Sequence, residues 1–197
     1  MQTIDRSTLA AHSKALCDDQ KALRRRYRVE APEEALVTDT ASSAAKAGGS
    51  PMWGSVQIGA PGFGVVVPVG VHRAVGGRHD LPVPGDILCG ALVACVDSTI
   101  RIISNNMKIP LESLEVDVRA DCDVRGTLMV DPSVAVGFNT MRVNVKAVPG
   151  PGVSAKQVVG LVQMAEQCCV VLQTLKNGVD LSFQLDAGTT TEGTDPA

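Results

Sequence analysis

The chain has 197 residues, of which 45% are hydrophobic, enough for one domain with a sizeable core. A formal net charge of -3 and an aromatic content of 3% provide neither a polybasic footprint nor stacking platforms, so nucleic-acid binding is not expected. The basic run Arg24, Arg25, Arg26 and Arg28 reads as a solvated helix end. No stretch reads as an unbroken bilayer span, and the first residues are polar where a signal peptide carries its apolar core, so a cytoplasmic location without membrane contact is expected. In that setting the six cysteines are expected to be reduced thiols rather than a disulfide framework. There is no CxxC pair, only the adjacent Cys168 and Cys169, and His12, His72 and His79 share no ligand spacing with any cysteine. Neither a metal nor another cofactor is expected.

From the N-terminus, Ile4 to Arg28 reads as an amphipathic helix with a thin stripe of Leu9, Leu16 and Leu23, opened by Asp5 or Ser7. So narrow a stripe is expected to dock on the domain body or on a partner subunit. Thr38 to Pro51 has the small, polar, glycine-bearing composition of a linker. Residues 1–50 are therefore read as a helical extension and linker, 51–186 as the folded domain, and 187–197 as a disordered tail without apolar residues. Trp53 to Val69 predicts two short strands joined by the turn APGFG; no helix follows, which excludes a dinucleotide-binding fingerprint.

Pro84 to Met107 is the central element. Leu88, Ala91, Leu92, Cys95, Thr99, Ile102 and Ile103 recur at helical spacing, and Cys89, Val93, Val96 and Ile100 widen the apolar face. Only Gly90, Asp97, Arg101 and Ser104 remain for a polar stripe, so this helix must be covered on more than one side. Leu111 to Val124 alternates strictly between apolar and polar residues, and Met141 to Ala147 does the same, which predicts an antiparallel hairpin with a long loop. The acidic wet face of the first strand is expected to pair with the basic face of the second. After the PGPG break at 149–152, Ser154 and Gln157 form a capping box for a second long helix. Its stripe is Val158, Leu161, Val162, Ala165, Cys169 and Leu172, and Asn177-Gly178 ends it. Val179, Leu181, Phe183 and Leu185 then alternate as a last strand. This order gives an α+β fold with antiparallel sheet.

The segments PGDILCGALVACV, IPLESLEVDVRADCD and LVQMAEQCCVVLQTLKNGVDLSF match, in order and spacing, those of the OsmC/Ohr family of stress-induced thiol peroxidases, which the chain resembles over roughly residues 53 to 186. The segment RGTLMVDPSVAVGF resembles a less characterised OsmC-like branch. The resemblance implies an intertwined homodimer in which sheets from both subunits wrap the long central helices. It also implies a peroxide substrate and an external dithiol reductant, and matches Cys95 to the peroxidatic and Cys169 to the resolving cysteine. A thiolate attacks the peroxide to give a sulfenic acid, and the second thiol condenses with it.

Burial alone raises a thiol pKa, so the attacking cysteine is expected to require a nearby cation. The family supplies an arginine from its first strand pair and a glutamate before the cysteine helix to orient it. Here Pro84 is followed by Gly85, and the nearest carboxylate is Asp86; the turn IGAPGFG has no basic residue, which leaves Arg73 and Arg78 as substitutes. The candidate site is therefore Cys95, Cys169, Arg78 and Asp86, with Cys168 as an alternative resolving thiol and His79 as a weaker candidate. Each cysteine on an apolar face also reads as a small core residue. Two functions stay open: a two-cysteine peroxidase, or a non-catalytic scaffold binding an apolar ligand at the dimer interface.

Overall fold

The computed structural model describes residues 6–43, 50–60 and 62–185. Its first element, α1 (Arg6–Arg25), runs on through a π turn at Arg26–Glu30. Ser7 lies within α1, while Asp5 and the 187–197 tail lie outside the described residues, as does the side chain of Leu9. Docking of α1 is polar rather than apolar. Cys17 Sγ donates to Asn106 Oδ1 at 2.9 Å, Asn105 Nδ2 to the Ser13 carbonyl at 2.9 Å, and Asn106 Nδ2 to Gln20 Oε1 at 2.6 Å. The stripe residues Leu16 and Leu23 stay exposed, because the face that meets the body is the one carrying Ser13, Cys17 and Gln20.

Two antiparallel sheets follow. In the first, β1 (Ala41–Ser42), β2 (Trp53–Ile58) and β3 (Val65–Gly70) pair in that order, so the stretch read as linker contributes a short edge strand opposite Gln57 and Ile58. The second is the expected hairpin of β4 (Leu111–Cys122) and β5 (Phe138–Pro149), whose long connection holds a one-turn helix, α3 (Val124–Thr127). Its wet face is partly complementary. Lys146 reaches Glu115 at 3.4 Å and Arg142 reaches Asp121 at 2.8 Å, but Arg119 lies directly opposite Arg142.

Helix α2 (Pro84–Met107) is the expected central helix. By length and composition alone it could cross a membrane, contrary to the expectation from sequence, and three of its residues, Leu92, Val96 and Ile100, are buried in the core cluster. Its buried stripe is Leu92, Val96 and Ile100, offset around the helix from the predicted one. That stripe meets Leu161 and Ala165 of α4 (Ala155–Cys168), and the inward residues Leu114, Val116, Val118, Met141, Val143 and Val145 of the hairpin pack on the cluster. The capping box is formed: Ser154 Oγ accepts from Gln157 N at 3.3 Å, and Gln157 Oε1 accepts from Ser154 N at 2.9 Å.

Two expectations are corrected. The second cysteine helix is not continuous: it breaks at Cys169, whose ψ of 110° is extended, and resumes as α5 (Val170–Asn177) at an angle of 63°. The β-branched Val170 and Val171 that follow are weak helix formers, which lowers the cost of interrupting the helix there. Val179 to Leu185 form no strand, because a strand exists only by pairing and no edge within the described residues pairs with them. Truncating the fully buried Ile100 to Ala is expected to cost about 2–5 kcal/mol, read as a lower urea midpoint at fixed protein concentration.

Candidate active site

Cys95 lies at the middle of α2, one residue before the buried Val96, and packs against the core cluster that contains Cys169. Cys169 is 0% exposed and Cys95 half-buried, whereas Cys168, on the last turn of α4, is exposed. Cys169 lies four residues after the buried Ala165, on the stripe that faces the core, and Cys168 lies off that stripe.

Around the two sulfurs the hydrogen-bond donors are local. Burial pushes the Cys95 thiol up, but the Val171 amide, the Cys169 thiol, the Thr99 hydroxyl and the Val170 amide together outweigh it and hold the thiol below its ordinary value. Cys169 shifts the other way. Burial and its own hydrogen bond to Cys95 push it up, and the Leu172 and Val171 amides only partly offset them. The two shifts have opposite sign, so of the pair Cys95 is the thiol that more readily becomes the thiolate.

Arg78 and Asp86 are not brought to these sulfurs. Asp86 precedes Cys95 by nine residues on one helix, an axial separation of roughly 13 Å. Its carboxylate caps α2, accepting from Val83 N at 3.0 Å with His79 Nε2 at 3.4 Å, and together with burial it pushes the nearer Cys89 thiol up. The Arg78 guanidinium stacks over Trp53, 5.3 Å from the ring centroid, and Trp53 Nε1 donates to Asp80 Oδ1 at 3.3 Å. The His72 ring lies 4.5 Å from that of His79. This loop is tightly folded: a Cβ on Gly77 would meet the Val71 carbonyl oxygen at 2.0 Å. No group of His, Cys, Asp and Glu among the described residues has the arrangement of a metal site.

Sequence reasoning counted Thr99 only as part of an apolar stripe, although a hydroxyl four residues after a cysteine on one helical face is within its reach. The Val170 and Val171 amides carry no such signal, because a backbone donor is freed only by a break that spacing does not reveal. A cavity of about 760 Å³ lies on another side of α2, between Leu88, Leu92, Phe138, Met141, Val162 and Leu172, and neither Cys95 nor Cys169 lines it.

The family model described as OsmC-like protein matches residues 77–184, more than half of the 197-residue chain, and spans both cysteine helices and the hairpin between them. The chain belongs to the OsmC-like family. Solved structures show the same fold. An organic hydroperoxide resistance protein OsmC from Legionella pneumophila is 20% identical with a TM-score of 0.54, the match covering 74% of this chain and 93% of that one. An OsmC-like protein of unknown function from Vibrio cholerae is 10% identical with a TM-score of 0.57, covering 71% and 94%. An organic hydroperoxide resistance protein from Elizabethkingia anophelis is 20% identical with a TM-score of 0.53, covering 73% and 91%. No curated protein matches the sequence.

Within this OsmC-like chain the donor from Cys169 has a direct consequence. Cys169→Ala removes one hydrogen bond that favours the Cys95 thiolate, so the midpoint of Cys95 alkylation by iodoacetamide should move to higher pH. Cys168→Ala, at an exposed position, should leave it in place; peptide mass spectrometry across a pH series reads both.

Proposed function

We propose that this protein is a two-cysteine thiol peroxidase acting on organic or hydrogen peroxides, with Cys95 attacking and Cys169 resolving. The observation that carries this reading is the packing of the half-buried Cys95 against the core cluster in which Cys169 is fully buried, with opposite shifts that favour the thiolate on Cys95. Relatives of the same fold from Legionella pneumophila and Elizabethkingia anophelis are organic hydroperoxide resistance proteins, which favours an organic hydroperoxide and a part in oxidative-stress protection.

In the reaction the Cys95 thiolate attacks the terminal peroxide oxygen. The S–O bond forms as the O–O bond breaks, and the alcohol leaves after taking up a proton, so that sulfur is oxidised by two electrons to sulfenic acid. Cys169 sulfur then attacks the Cys95 sulfur, forming the disulfide and releasing water. An external dithiol returns the two electrons by exchange. Placement of Cys169 in the core cluster against which Cys95 packs suits this step, because it holds the second thiol in the neighbourhood of the first. All six cysteines are free thiols in the structure, and the reading places the protein in a reducing cytoplasm that would regenerate it.

The reading includes an intertwined homodimer. Val65 and Phe183 are 64% and 90% exposed, and the alternating Val179 to Leu185 segment pairs with no strand among the described residues; a second subunit would cover both. Analytical ultracentrifugation should show a dimer at micromolar concentration, and a folded monomer there would remove this part.

The competing reading, a non-catalytic scaffold, draws support from the 760 Å³ apolar cavity, which would suit a fatty ligand. One experiment separates the two. After stoichiometric cumene hydroperoxide, mass spectrometry of the peroxidase should show a Cys95–Cys169 disulfide. Cys169→Ser should stop at sulfenic or higher oxidation of Cys95, and Cys95→Ser should consume no peroxide. An unmodified Cys95 in the wild type would leave the scaffold reading in its place.

A further inference from the structure

An unbroken second helix would carry bonds from the amides of Val170, Val171 and Leu172 back to the carbonyls of residues 166 to 168. The break cancels these and leaves the ladder intact on both sides: Cys169 N still donates to the Ala165 carbonyl and Gln173 N to the Cys169 carbonyl, each at 2.9 Å. Three consecutive amides are thereby freed at the start of an eight-residue helix whose cap offers no side-chain acceptor.

Both sides of this break are occupied. On the carbonyl side Gln173 Nε2 donates to the freed Glu166 carbonyl at 2.8 Å, and Lys176 Nζ holds the Glu166 carboxylate at 2.9 Å, so two side chains of α5 brace it against the end of α4. On the amide side lies the core cluster that holds the fully buried Cys169, with Cys95, Val171 and Leu172 packed against it, and the Val171 and Val170 amides favour the Cys95 thiolate. Thr99, one turn along α2, completes the donors around Cys95.

We propose that the amino end of α5, aimed at Cys95 by the break at Cys169 and held there by Gln173 as a positioning residue, stabilises the Cys95 sulfur anion together with the Thr99 hydroxyl, in the place an arginine takes in the peroxidases this family resembles. Backbone amides at a helix start favour a thiolate both as hydrogen-bond donors and through the positive end of the helix dipole. The only aromatic-stacked guanidinium described, that of Arg78, is committed to Trp53.

The inference rests on the reading of Cys95 as the attacking sulfur, but its test uses no peroxide. Val170 is 73% exposed and is the first helical residue of α5, a position where proline is tolerated; Cys169 before it, at φ −76° and ψ 110°, already has the conformation that proline requires of its predecessor. Val170→Pro therefore deletes one amide donor and keeps the backbone, whereas Val170→Ala keeps the donor. With the full-length reduced protein, the alkylation midpoint of Cys95 should rise on the order of half a pH unit or more in Val170→Pro, Thr99→Val and Gln173→Ala. It should stay in place in Val170→Ala, Arg73→Ala and Arg78→Met, with circular dichroism reporting the fold of each variant.

The proposal is overturned if the arginine variants raise the midpoint while Val170→Pro and Thr99→Val do not. It is equally overturned if Val170→Ala shifts the midpoint as far as Val170→Pro. A midpoint that responds as expected in a protein whose Cys95 ignores cumene hydroperoxide leaves this inference standing and removes the peroxidase reading. Oxidation of Cys95 by peroxide with a midpoint set by the arginines alone does the reverse.

Discussion

Everything at the candidate site depends on one packing contact, the seam where Leu92, Val96 and Ile100 of α2 meet Leu161 and Ala165 of α4. The seam fixes the depth at which the two cysteines sit, and depth is the difficulty, since desolvation disfavours a thiolate. A structure that needs the anion must then provide donors inside the seam. In the arrangement proposed above they come from the backbone, through a helix that stops at Cys168, three residues past Ala165, and restarts at a new angle.

That solution differs in kind from a charged side chain. A guanidinium brings a full charge and can be carried on a distant strand or loop, whereas amide donors bring partial charges and must be within hydrogen-bond reach of the sulfur. Precision therefore matters more, and the brace of Gln173 and Lys176 on Glu166 provides it with side chains from one helix bonded to the end of the other. The break falls at Cys169 itself, a member of the cluster against which Cys95 packs.

The loop before α2 has a different task from the one its charges imply. Its residues bind one another: Arg78 with Trp53, Trp53 with Asp80, His79 with His72 and Asp86, and Asp86 with the first turn of α2. These contacts tie β2 to the start of the cysteine helix. They fix where that helix begins, and through it the height of Cys95 against α4.

How much of this was legible in the residues alone follows from the range over which each signal acts. Helix α2, the hairpin of β4 and β5, the capping box at Ser154 and the α+β class were all readable, because periodicity and caps are local properties that neighbouring residues enforce together. The juxtaposition of Cys95 and Cys169 was legible only by resemblance, since no spacing rule connects positions so far apart in the chain. Three things were decided by tertiary structure. The face of α2 that became buried was selected by what α4 and the hairpin offered it, and α1 docked by its polar side because Asn105 and Asn106 were the groups it met. The break at Cys169 was invisible because Val162, Ala165, Cys169 and Leu172 keep a perfect helical rhythm across it; rhythm records which residues prefer the core, and it takes the packed core, with Gln173 meeting the orphaned carbonyl and sulfur meeting the orphaned amides, to make an interrupted helix the better answer.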